Sequence, residues 1–163
     1  MKIVNIKHML RVFALGGLIL GVFLSYALPS YAQGEVVSVG GGWWSMPNVD
    51  DQEGTIDTSG PYLSLISRSV NYLLEVDYGV SDTNFLAFVG TYLYPLSMDR
   101  QSVTSTFVGA GYTYFLSDEL EDEKGLNVLI GAEFGANFTG IIRYDFLGSD
   151  QEMITFGLSY TFQ

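Results

Sequence analysis

The stretch that most constrains the fold is the last one, residues 153–163. Ile154, Phe156, Leu158, Tyr160 and Phe162 are large and apolar, and Thr155, Gly157, Ser159 and Thr161 between them are small or polar. A strict period of two marks a strand with two unlike faces. No proline, charge or helix cap interrupts it. The same period recurs upstream. In residues 71–80, Tyr72, Leu74, Val76, Tyr78 and Val80 oppose Glu75, Asp77 and Gly79. In residues 126–138, Leu126, Val128, Ile130, Ala132 and Phe134 oppose Asn127, Gly131, Glu133 and Gly135, and in 141–147 Ile142, Tyr144 and Phe146 oppose Arg143 and Asp145.

Four further strands are predicted over residues 34–44, 60–67, 85–96 and 102–116. Leu65-Ile66 breaks the alternation in the second of these and both faces of 85–96 are apolar, so the facing of residues 60–69 and 85–96 stays open. No segment reads as a helix. Between strands lie a long acidic loop (46–59), a tight turn at Arg68-Ser69-Val70, turns at 81–84 and 97–101, and a second acidic loop (117–125). A turn at Thr139-Gly140 and a connection over 148–152 complete the set. Eight antiparallel strands put both chain ends on one rim, as a closed barrel requires, and the two acidic loops on the other.

The first 32 residues read as an export signal rather than as fold. Lys2, Lys7 and Arg11 make a basic start, residues 12–24 are uncharged and apolar, and Ser30-Tyr31-Ala32 supplies the small residues that a signal peptidase reads. The domains are therefore 1–32, cleaved, and 33–163. Removing 1–32 takes three of the seven basic residues and none of the 18 acidic ones, leaving 4 − 18 = −14 formal charges. So acidic a chain is a poor partner for nucleic acid, whose phosphates need Lys and Arg. There is no Cys, and the sole His is His8, inside the signal. Thiol, serine–histidine and histidine–metal chemistry are thereby excluded from the mature chain, and no catalytic residues, cofactor or resident metal are predicted.

Alternation alone does not say which face meets solvent. A soluble barrel turns its bulky face inward, whereas a membrane barrel turns it to lipid and keeps polar groups within. Here the charged strand residues share a face with glycine, serine, threonine and asparagine, which suits the narrow interior of eight strands. The opposite face has no Lys or Glu in the best-patterned strands. Aromatics gather near expected strand ends (Trp43, Trp44, Tyr62, Tyr72, Tyr92, Tyr94, Tyr112, Tyr114, Tyr160, Phe162), as interfacial girdles do.

Export signal, eight alternating strands, acidic loops and aromatic closing strand together resemble the small eight-stranded outer-membrane β-barrel family, which includes OmpA-like transmembrane domains and OmpX-like proteins. The resemblance spans the mature chain and is architectural, with no family motif. It implies an all-β, antiparallel, up-and-down transmembrane β-barrel in a Gram-negative outer membrane, porin-like in build but without an open pore. It also implies a monomer, contact with outer-membrane lipids and lipopolysaccharide, and handling by the barrel-assembly machinery. Phe156, Leu158, Tyr160 and Phe162 match the closing-strand assembly signal, save that Gln163 follows the aromatic. The role implied is structural or surface-interacting rather than enzymatic. A membrane-embedded lipid-modifying enzyme and a soluble secreted barrel binding an apolar ligand remain as alternatives.

Two sets of residues are candidates for a site. A hairpin folded about Thr139 would set residue 133 opposite 145 with 143 a diagonal neighbour, so Glu133, Arg143 and Asp145, joined by Glu75 and Asp77, form a candidate polar cluster in the lumen. Two acids around one arginine leave room for a retained proton or a recruited cation, but the preferred reading is a structural polar plug that fills the lumen and fixes register. Asp50, Asp51, Glu53, Asp57, Asp118, Glu119, Glu121, Asp122 and Glu123 in the two acidic loops are candidates for weak Ca²⁺ or Mg²⁺ contact, though their spacing fits no calcium loop. Gly40-Gly41-Gly42 lies mid-strand without Lys or a following helix and is no phosphate loop.

Overall fold

The computed structural model describes residues 36–51, 54–80, 84–97, 104–117, 122–135, 137–148 and 151–162. The expected export signal, Glu53, Asp118, Glu119, Glu121 and Gln163 lie outside the described residues. Eight strands follow one another: β1 (Val36–Asp51), β2 (Gly54–Arg68), β3 (Tyr72–Gly79), β4 (Phe85–Ser97), β5 (Thr104–Ser117), β6 (Glu123–Phe134), β7 (Phe138–Leu147) and β8 (Gln151–Phe162). Each pairs antiparallel with the next, and β8 returns to β1, closing an up-and-down barrel. The aromatic closing strand makes the seam, with Val39 opposite Tyr160 and Trp43 opposite Phe156. Along the span that β1 and β8 share, closure satisfies the backbone of both terminal strands and removes their edges.

Period two is kept around the whole ring. The register carries one face from Ser38 and Trp44 through Ser64, Glu75, Val89, Thr113, Asn127 and Arg143 to Thr155. This face is buried in the bore. It settles the two segments whose facing alternation left open. Tyr62, Ser64, Ile66 and Arg68 point inward from β2, and Phe85, Ala87, Val89, Thr91 and Leu93 from β4.

Three connections differ from expectation. Residues 46–59 are not a long loop: the ladder continues through Met46–Thr58, Val49–Ile56 and Asp51–Gly54, with one register shift after Met46. Thr55, Ile56, Thr58 and Val49 are good strand residues, and the shift falls where Pro47 cannot donate to the ladder. Because β8 meets β1 only as far as Ser45, and β3 meets β2 only from Tyr62, this hairpin outruns its neighbours. Similarly, the second acidic connection is shorter than 117–125, since Glu123 and Lys124 already pair with Phe115 and Tyr114.

The third difference has the larger consequence. The chain turns between β6 and β7 after Phe134 and before Phe138, with Gly135 and Asn137 in turn conformation, not at Thr139-Gly140. Gly135 adopts φ +62°, a left-handed conformation that glycine takes without penalty. Thr139 and Gly140 instead pair with Glu133 and Ala132, so Asp145 faces Asn127 rather than Glu133. Arg68, expected in a turn, ends β2, and the turn after it is stabilised by the Ser69 hydroxyl, which accepts the backbone N–H groups of Asn71 and Tyr72.

Close approach of strands makes glycine necessary at the seam. A Cβ on Gly42 would sit against the Phe156 carbonyl and 2.8 Å from the Gly157 Cα. On outward-facing Gly90 it would meet nothing nearer than Leu74 Cδ2 at 3.7 Å. Gly42→Val is therefore expected to lower folding stability by about 1–3 kcal/mol or more through overpacking. Gly90→Ala should stay within about 0.5 kcal/mol. Urea unfolding of the two refolded variants checks the contrast.

Candidate functional site

The outer wall presents large apolar side chains. Leu63, Tyr92, Tyr94 and Leu126 are each more than 60% exposed, and Ile130, Ile142, Phe156 and Leu158 about half. Among the described outward side chains within the strands the charged ones are Lys124 and Glu152, and both lie at the ends of their strands on the rim away from the termini. From Ile154 to Phe162 the apolar row of β8 runs eight residue steps. At about 3.3 Å per residue and ~40° of tilt this is a band about 20 Å tall. Rings line the terminus side, with Phe138 and Tyr160 5.3 Å apart and Tyr160 and Phe162 5.4 Å apart, edge to face. Trp43, Tyr78, Tyr114 and Tyr144 mark the other side.

Inside, the bore is filled in four layers. Nearest the termini, Arg68 on β2 reaches across to Glu133 on β6, and the Ser105 hydroxyl donates to the same carboxylate. The Arg68 guanidinium lies 4.2 Å over the Phe107 ring. Next comes an apolar layer of Ile66, Leu73, Leu93, Phe107, Leu129 and Ile141.

The third layer is ionic. Arg143 on β7 donates from Nη1 to Glu75 (2.7 Å), from Nη2 to Asp77 (2.6 Å) and from Nε to Asp145 (2.9 Å). Asp145 also accepts the Thr113 hydroxyl. Asn127 donates to Thr113 (3.1 Å) and accepts the Thr91 hydroxyl (2.9 Å). Five successive strands, β3 to β7, thus share one network, and Arg143 and its three carboxylates are each 4% exposed or less. Beside Glu75 a cavity of about 10 Å³, the size of one water, is lined by Tyr62, Ser64, Thr139 and Ser159.

The fourth layer closes the far end. Trp44 meets Phe85 edge to face at 4.9 Å, Phe85 stacks on Phe115 at 5.0 Å, and Met46, Leu147 and Met153 fill around them. Among the described residues, no group of acidic side chains is arranged to hold a metal ion.

No protein-family model and no curated protein matches the sequence. Solved structures do match. Neisserial surface protein A superposes with a TM-score of 0.56 at 17% identity, over 79% of this chain and 97% of that one. The outer-membrane protein OprG from Pseudomonas aeruginosa gives 0.54 at 11% identity, over 80% and 97%. The fold is that of the small eight-stranded outer-membrane β-barrels.

Within this barrel the expected cluster is rearranged. Glu75, Asp77, Arg143 and Asp145 meet, but Glu133 does not join them: the displaced β6–β7 turn carries it to the terminus-side layer, where it meets Arg68. Thr91, Thr113 and Asn127 complete the Arg143 network although nothing in their spacing marked them as partners. Their inward parity was the available signal. Trp44 and Tyr62, counted among the girdle aromatics, face the bore and are buried, whereas Trp43 does face outward. Asp122 is exposed and Glu123 half-buried; Asp50, Asp51 and Asp57 lie in the paired β1–β2 hairpin.

Removing Arg143 strands three buried carboxylates. Arg143→Met is expected to cost about 3–5 kcal/mol, and Arg143→Lys little less, because a point-charge ammonium does not reach three acceptors in a guanidinium's plane. Arg68→Met is expected to cost about 1 kcal/mol or less, since Arg68 and Glu133 are 16% and 39% exposed. Urea unfolding in detergent micelles ranks the three.

Proposed function

We propose that the mature chain is an integral outer-membrane protein with a structural or surface-interaction role, without enzymatic activity and without an open pore. The observation that carries this is the outer wall: a closed ring of exposed Leu, Ile, Val, Phe and Tyr about 20 Å tall, with Lys124 and Glu152 at its margin. In water such a surface would drive association; against acyl chains it is at rest. Two ionic layers and two apolar layers occupy the bore, which argues for a plug rather than a channel. The inward carboxylates of the central layer are engaged by Arg143, which suits a structural part better than a catalytic one.

Export to the outer membrane follows from the signal-like first 32 residues, and insertion by the barrel-assembly machinery from the aromatic β8. The rim opposite the termini suggests the kind of surface contact. The sequence at and between the strand ends there carries Asp50, Asp51, Glu53, Asp57, Asp82, Asp118, Glu119, Glu121, Asp122, Glu123, Asp150 and Glu152 against Lys124, a balance of 1 − 12 = −11. Next to anionic lipopolysaccharide, so acidic a rim favours weakly held divalent counter-ions between the two.

Membrane fractions run on SDS gels with and without boiling test the reading. The expected outcome is a fast-migrating folded band that shifts on heating, together with bilayer recordings free of discrete conductance steps. Recovery of the protein in the soluble fraction, with one unshifted band, would overturn it.

A further inference from the structure

Glu75 and Asp77 stand two residues apart on the inner face of β3, and both reach the same guanidinium from Arg143. The two carboxylates end on neighbouring nitrogens of that guanidinium, Glu75 on Nη1 at 2.7 Å and Asp77 on Nη2 at 2.6 Å, which brings the two acids together. Ionised carboxylates only accept, so a bond between two of them needs a proton. Charge balance leads to the same place. Arg143 faces Glu75, Asp77 and Asp145, which if all ionised would leave 1 − 3 = −2 in a layer no more than 4% exposed. Asp145 has a neutral donor of its own in Thr113, whereas Oδ1 of Asp77 is fully buried with no donor among the described residues. The water-sized cavity touches Glu75 and the hydroxyl-bearing Ser64, Thr139 and Ser159, which gives a proton a polar approach.

We propose that Glu75 and Asp77 form a proton-binding site in the bore, one proton being shared between the two carboxyl groups of the folded barrel. The shared proton supplies a donor to a pair that otherwise only accepts, and halves the excess negative charge. The titratable or charged groups facing the pair are Tyr62 from β2 and Arg143 and Asp145 from β7. Strands β4, β5 and β6 contribute the neutral Thr91, Thr113 and Asn127, and Arg68 and Glu133 lie beyond an apolar layer. The site is independent of what surrounds the outer wall, so it stands or falls separately from the membrane reading.

The test uses the full mature chain refolded in detergent, as wild type, Glu75→Gln and Asp77→Asn. Infrared spectra at neutral pH are expected to show the carbonyl band of a protonated carboxylic acid in the folded wild type. Both variants should lose it while still folding, since an amide supplies the donor that the proton supplied. A folded state holding one proton that the unfolded chain releases loses stability as pH rises. Relative to Glu75→Gln, the wild-type unfolding constant should therefore rise about tenfold per pH unit above about pH 5, until the pair ionises. Should Glu75→Gln fail to fold, Asp77→Asn and the pH dependence of the wild-type band carry the same test. Absence of the band, a pH-independent difference, or stability that follows sodium concentration at fixed pH would each overturn the proposal.

Discussion

Eight strands closed on themselves leave a bore too narrow for an open channel and too wide to be left empty. Whatever fills it must satisfy both volume and hydrogen bonding, since an unpaired polar group inside costs more than an apolar one of the same size. Arg143 meets both demands. Its side chain crosses from β7 to β3, and its three N–H directions each end on a carboxylate. Slipping one strand by a single residue would turn Glu75, Asp77 or Asp145 outward and leave the guanidinium partly unpaired. The network therefore specifies register as much as it fills space, and the apolar layers above and below keep water from competing with it.

The outer wall is the complement of this arrangement. Because period two commits each strand to one inward and one outward row, charges placed in the bore are charges removed from the outside. Glu75, Asp77, Glu133, Arg143 and Asp145 all lie on the inward row, and the outward row is correspondingly greasy. A strand can be read either way from its alternation. The ring as a whole cannot, once Phe156, Leu158 and Tyr160 are seen exposed on the seam while Arg143 and Asp145 are buried beside them. The two tyrosine- and phenylalanine-rich margins then fall where amphipathic rings are most at home.

Much of the architecture was legible in the sequence because strand number, inward row and closing strand depend on a local period. The site was legible only in part, because it depends on pairing between strands. Period two placed Glu133 and Arg143 on the same face, but their partnership needed the position of the turn, and two glycines competed for it. Gly135 took the left-handed conformation and Gly140 stayed in the ladder; nothing local ranks the two. The acidic segment 46–59 looked like a loop because Pro47, Asn48 and three aspartates outweighed Val49, Thr55, Ile56 and Thr58. Cross-strand pairing reversed that balance. Trp43 and Trp44 show the same limit at single-residue scale: adjacent and chemically identical, they point to opposite sides of the wall.

Arg143 ties β3 to β7, and Arg68 ties β2 to β6. In a ring of eight these are opposite walls, and the two ties run along neighbouring diameters at different heights. They behave as internal struts. A hoop held only at its rim can be squeezed into an oval with little resistance, but one braced along two diameters resists flattening along either. The barrel wall is thus stiffened from within against lateral pressure, and the stiffness resides in five side chains rather than in the length of the strands.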